Sequence, residues 1–107
     1  MDRHIVILVT TSSKKEAEKI AKALLKEKLA ACVNIISGIK SFFHWEGKID
    51  NADELLLLIK TRKKLFKKVE RTVKQCHSYT APEVIALPIV EGSKKYLDWI
   101  DNVTVSK

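Results

Sequence analysis

Cysteine is scarce in this chain: Cys32 and Cys76 are the only two among 107 residues. Two thiols build no disulfide framework. With no C-x-x-C pair and no H-E-x-x-H stretch, neither a zinc finger nor a metalloprotease helix is expected. Glycine is nearly as rare, at three residues, Gly38, Gly47 and Gly92. No glycine-rich loop is therefore available to cradle a phosphate. No Ser-His-Asp order stands out, and no pair of carboxylates falls on a rigid element, so the chain is read as a non-enzyme. No apolar run approaches the roughly 20 residues of a membrane span. The first residues, MDRHIVILVTT, place a short apolar run behind a base. Asp2 and the helix-start signal that follows make it a strand rather than a signal peptide. The expected compartment is the cytoplasm, with no membrane partner.

Negative charge is also in deficit. Lys and Arg number 20 against 13 Asp and Glu, a formal net charge of +7. Such a bias admits nucleic acid, small anions or a membrane surface as partners. Most of the lysines fall at the spacing of outer helix faces, so a solvated coat is the simpler reading. No nucleic-acid-reading motif accompanies them, and nucleic acid is not expected as a partner.

At this length residues 1–107 form one domain, and 46% hydrophobic residues suffice for a core without staples. His4 to Thr10 is continuously apolar and β-branched, which predicts a central strand. Ser13 and Glu16 have the spacing of a capping box and open a helix to about Lys28, with Ala17, Ile20, Ala21, Leu24 and Leu25 as its apolar stripe. Leu29 to Thr61 reads as one long hairpin. Its outward arm is interrupted at Ser37-Gly38, where a bulge or bend is expected. Beyond that point Ile39, Ser41, Phe43 and Trp45 share a face. Glu46-Gly47-Lys48 is the tip, and Leu55 to Ile59 returns as a second central strand. A basic helix from Arg62 to about Gln75 follows, with Leu65, Phe66, Val69 and Val73 inward. Residues 76–82 connect it to a strand over Glu83 to Val90, placed at a sheet edge by Pro88. Gly92-Ser93 opens a last helix packing through Tyr96, Leu97, Trp99 and Ile100. The tail over 103–107 adds a short strand or frays.

The order β-α-β-β-α-β plus a C-terminal helix predicts an α+β fold. It is a ferredoxin-like split β-α-β sandwich with a long β2-β3 hairpin and an extra C-terminal helix. Hairpin arms of a dozen residues would reach about 40 Å at roughly 3.3 Å per residue. A domain this size has a radius of gyration near 13 Å, so the hairpin should project and seek a partner chain.

LAACVNI at 29–35, WEGKI at 45–49, LLLLIKT at 55–61, H-S-Y-x-x-P-E-V-I-A-L-P-I from His77 and Y-L-x-W-I from Tyr96 resemble the CutA divalent-cation tolerance proteins. The resemblance runs from Ile5 to about Val103. It implies a ferredoxin-like homotrimer, similar to the P-II signalling proteins, that exchanges strands through the hairpin. It also implies a role in tolerance of copper and other divalent metals, with copper bound by some members. No catalytic activity is implied. The family usually reads H-P-Y where this chain has His77-Ser78-Tyr79, a change that frees φ and restores an N–H.

Cys76, His77 and Glu83 are the candidate metal ligands. A soft thiolate beside an imidazole suits copper(I) or zinc, and Glu83 can add a carboxylate. Cys76 and His77 alone leave a site open, so further ligands would come from another subunit or water. The alternative gives Cys76 and His77 structural roles. Phe43, Trp45 and Glu46 are the candidate trimer interface. His44 is read as packing, Cys32 as a core thiol, and Asp50, Asp53 and Glu54 as solvated or ion-paired. No cofactor is obligatory, and copper or another divalent ion is the candidate ligand. Two other functions compete with a metal-responsive trimer. One is a P-II-like scaffold that holds an anion between subunits near Lys60, Arg62 and Lys63. The other is a structural trimer with adventitious metal.

Overall fold

In a computed structural model, residues 3–105 are described. They form a four-stranded antiparallel sheet and three helices. Strand β1 covers His4–Thr11, helix α1 Lys14–Lys26, β2 Cys32–Trp45, β3 Lys48–Arg62, α2 Phe66–Cys76, β4 Val84–Pro88 and α3 Lys94–Val103. A single 3₁₀ turn over Lys63–Leu65 leads into α2. The sheet order is β2-β3-β1-β4, so the two apolar strands predicted to be central are central. Strand β4 is an edge, as Pro88 requires.

Side chains alternate across the pleat, and the odd-numbered residues of β1 and the C-terminal part of β3 face the helices. Ile5, Ile7, Val9, Leu57 and Ile59 are buried there against Ala17, Ile20 and Leu24 of α1 and Val69 and Val73 of α2. The opposite face is open except where α3 is fastened across one end. His4 Nε2 lies 2.9 Å from Asp101 Oδ1, and Arg62 Nε donates to Thr104 Oγ1 at 2.9 Å.

Arg62 differs from expectation. It ends β3, is only 7% exposed, and its guanidinium also donates to the Val105 carbonyl. Its cationic head satisfies the chain end that α3 leaves behind, so the second helix begins later than its basic run suggests. The tail shows one extended step: the Val105 N–H donates to the Lys28 carbonyl at 2.9 Å. The rest of the expected tail strand, Ser106 and Lys107, lies outside the described residues.

Ser13 caps α1 as predicted, its Oγ accepting from Glu16 N at 3.1 Å. The reciprocal half of the box is absent, because the Glu16 carboxylate turns to Ser78, accepting from its N–H at 3.0 Å. Helix α1 ends two residues earlier than expected. Leu29 N donates to Leu24 O and Lys28 N to Leu25 O, with Lys28 at φ 56. This is a left-handed cap with lysine where glycine is usual, at a cost of about 1 kcal/mol.

The hairpin projects along a molecule measuring 44 × 26 × 22 Å. Glu46 and Gly47 have φ 49 and 76, and Trp45 pairs with Lys48, which makes the tip a two-residue type I′ turn. Ile36 pairs with Leu56 but Ile39 with Glu54, so β2 carries one extra residue at Ser37-Gly38. Gly38, at φ 77, supplies the bend. The extra residue exchanges faces: Val33 and Ile35 pack toward the core, whereas Ile39, Phe43 and Trp45 emerge on the side of Glu54. Phe43 and Trp45 are exposed in the single chain, and so are Phe42 and Ile49 on the arm's other side.

A Cβ added at Gly38 would meet nothing within 4 Å. Gly38→Ala is therefore expected to cost only the left-handed backbone strain, about 1 kcal/mol. Leu57→Ala, at a fully buried site, is expected to cost about 2–5 kcal/mol. Urea denaturation of both variants checks the ranking.

Candidate functional site

The connection after α2 folds back over the end of β1, and His77 fastens it. The ring is fully buried. Its Nε2 lies 2.7 Å from the Thr10 carbonyl, and its Nδ1 lies 3.1 Å from Tyr79 N. A carbonyl can only accept and a backbone N–H can only donate, so Nε2 carries the proton and Nδ1 accepts. Both ring nitrogens are thereby engaged. Glu16 Oε1 lies 3.5 Å from Nδ1, and its carboxylate holds Ser78 through both the N–H and the hydroxyl. The N–H that serine has and proline lacks is thus used, which ties the loop to α1.

Tyr79 continues the chain of contacts. Its ring centroid lies 4.7 Å from that of His77, and its hydroxyl donates to Glu54 Oε2 at 2.8 Å. Burial pushes the phenol up to about 12, and the hydrogen bond to Glu54 and that carboxylate's charge push the same way. Glu54 is 8% exposed, which corrects the solvated half of the reading of it as solvated or ion-paired. Asp50 and Asp53 are exposed as expected, with Lys40 3.3 Å from Asp53. Glu83 stands at the exposed rim. Partial desolvation raises its carboxyl above the usual range, and repulsion from Glu54 adds to this.

The three candidate metal ligands occupy different surroundings. His77 is enclosed as described. Cys76, the last residue of α2, is half-buried and packs against the core, where it also lines a cleft between α1 and α2. Glu83 neighbours Glu54. Among the described residues no group of three or more His, Cys, Asp or Glu is gathered to hold a metal within one chain. None of their buried side-chain polar atoms lacks a partner.

Cys32 is half-exposed rather than a core thiol, and it lies beside Tyr96, whose hydroxyl is pushed up by burial and then by Cys32. His44 is exposed on the hairpin. Lys60 donates to Asn34 Oδ1. With Arg62 also engaged, two of the three cations expected near an anion cleft are held within the chain. Sequence reasoning gave Glu16 only a capping role, read Glu54 as solvated or ion-paired, and assigned Tyr79 no role in the site. The signal for Glu54 was an acid directly before a central apolar strand, where a carboxylate needs a donor.

The folded chain holds the Tyr79 proton more tightly than the unfolded one. That contribution to stability is complete below pH 10 and is lost as pH rises toward about 12. Urea denaturation across this range is expected to lose this component in Tyr79→Phe, and an ultraviolet titration to lose its phenolate step near pH 12. Glu83→Gln removes a disfavoured charge. It is expected to raise the melting temperature at neutral pH, with the difference vanishing below the ordinary carboxyl value of 4.5.

Known proteins were compared with this chain. The family described as CutA1 divalent ion tolerance protein matches residues 5–103. The divalent-cation tolerance protein CutA of Thermus thermophilus is 50% identical over 95 residues, covering 89% of this chain and 92% of that protein. The solved structure of the Cut A1 protein of Thermus thermophilus superposes with a TM-score of 0.94 at 48% identity, covering 95% of this chain and 99% of that one. A structure from Archaeoglobus fulgidus, described as a periplasmic divalent cation tolerance protein CutA, gives a TM-score of 0.91 at 54% identity. It covers 94% of this chain and 97% of that one. No helix among the described residues is long and apolar enough to cross a membrane. With nearly its whole length matched in sequence and in fold, the chain belongs to the CutA1 divalent ion tolerance family.

Proposed function

We propose that the protein is a homotrimer that responds to metal ions, binding copper or another divalent cation and conferring tolerance to heavy metals. Family membership supports the cation. The observation that supports assembly is the apolar surface left by the sheet and the arm. Ile36, Ile85 and Leu87 are exposed on the open face, and Phe43 and Trp45 continue it to the hairpin tip beside Glu46. Edge strands β2 and β4 add unpaired backbone groups next to this surface. Two further copies of the chain, related by a three-fold axis, cover such a surface through one heterologous interface that repeats and closes on itself. Both cysteines are free thiols, which fits a reducing cytoplasm.

Metal capture is assigned to Cys76, His77 and Glu83, with remaining ligands from a neighbouring subunit or water. Cys76 offers the soft thiolate. His77 offers Nδ1 only after releasing the Tyr79 N–H, so binding there is linked to movement of the loop over 77–80. That linkage is a route from ion to response, because the same loop reaches Glu16 on α1 and Glu54 on β3.

Sedimentation equilibrium is expected to give three times the 12.2 kDa chain mass, and a species of one chain mass would remove the trimer. Copper(I) titration is expected to lose its tightest site in the Cys76→Ser, His77→Ala double variant, by about tenfold or more. Circular dichroism of the variant guards against unfolding, since removing His77 leaves Thr10 O and Tyr79 N unpartnered. Unchanged copper affinity in a folded double variant would remove the metal assignment.

A further inference from the structure

A cleft of about 890 Å³ lies on the helical side of the fold, between the C-terminal ends of α1 and α3 and one face of α2. Four cations line it, Lys26, Lys28, Lys68 and Arg71, against a single acid, Glu27. The negative end of α1 accounts for one nearby cation, not for four converging on a concavity. Three exposed lysines elsewhere, Lys40, Lys74 and Lys94, are paired with Asp53, Glu70 and Asp98, so what distinguishes the cleft is the convergence of its cations on one concavity. Among the described residues Lys26, Lys28 and Arg71 make no ion pair.

Lys28 is the telling residue. It is held at φ 56 in a helix cap where glycine is free of strain. Its carbonyl accepts from Val105 N at 2.9 Å, which fixes the backbone at the cleft wall. The hydrogen bonds of the cap hold this strained backbone in place, and the side chain it carries adds a cation to the cleft. Leu29, Val103 and Val105 give the lining an apolar part, and Thr72 and Gln75 add hydrogen-bonding groups from α2.

We infer that this cleft binds a small phosphorylated anion with a planar or apolar portion, of the class of a nucleoside di- or triphosphate. Lys26, Lys28 and Arg71 take the phosphates as charge-assisted hydrogen bonds, and the apolar lining residues take the apolar portion. The volume falls within the range of about 300–1,000 Å³ common for such ligands. The site is built within one chain and does not depend on the metal assignment or on trimer formation.

The test is calorimetric titration of the full chain with ATP, and separately with inorganic pyrophosphate, without added metal. ATP is expected to bind, pyrophosphate to bind more weakly, and both to weaken as salt is raised. Lys28→Gly and Arg71→Ala are each expected to weaken ATP by about tenfold. Lys28→Gly is expected to do so without lowering the melting temperature, since it relieves the strained cap, and so separates ligand loss from unfolding. Lys40→Ala, on the hairpin, is expected to leave ATP affinity unchanged. The inference is overturned if neither anion binds, if Lys40→Ala weakens ATP as much as Arg71→Ala does, or if only duplex DNA binds.

Discussion

Everything in this fold follows from the two-residue period of the pleat and from the one place where it is broken. Along β1 and the C-terminal part of β3 the period is strict, and it sends Ile5, Ile7, Val9, Leu57 and Ile59 into the core beneath the helices. Had β2 kept the same period, Phe43 and Trp45 would share the helix side with Val33 and Ile35. The extra residue at Ser37-Gly38 reverses them, so the aromatic arm extends the open face instead. The hairpin thus serves both the core and the exposed apolar face, divided by a single extra residue.

The open face is only partly covered by α3. That helix is fastened by polar groups, through His4 to Asp101 and Arg62 to Thr104 and Val105, at the end where β1 begins. The remaining face and both arm surfaces expose large apolar side chains in the single chain. An arm with Phe42 and Ile49 on one side and Phe43 and Trp45 on the other presents large apolar side chains on both sides. Such an element is stable when neighbouring chains enclose it from both directions, and this supports assembly more than any one residue does.

The loop after α2 shows how polar groups around a buried histidine can unite distant elements. His77 holds β1, Ser78 holds α1 through Glu16, and Tyr79 holds β3 through Glu54. Three consecutive residues therefore connect three elements. Replacing the serine N–H by a proline ring would remove the Glu16 contact and leave the other two. A ligand that displaced the Tyr79 N–H from His77 Nδ1 would disturb this junction first.

Features whose causes are local were legible in the sequence. Ser13 and Ser93 cap their helices because a hydroxyl needs only the N–H three residues on. Gly47 makes the tip because the turn needs positive φ, and Pro88 marks an edge because it has no donor for a ladder. The apolar runs placed β1 and β3 at the centre by burial alone. Tertiary structure decided the features whose partners are far away along the chain. Glu16 left its own cap for Ser78, Glu54 became buried against Tyr79, Arg62 joined a strand to reach Thr104, and Lys28 and Arg71 met across a cleft. A carboxylate or guanidinium carries no sequence signal of which distant donor or acceptor will satisfy it. That is settled only when the sheet brings the candidates within hydrogen-bond reach.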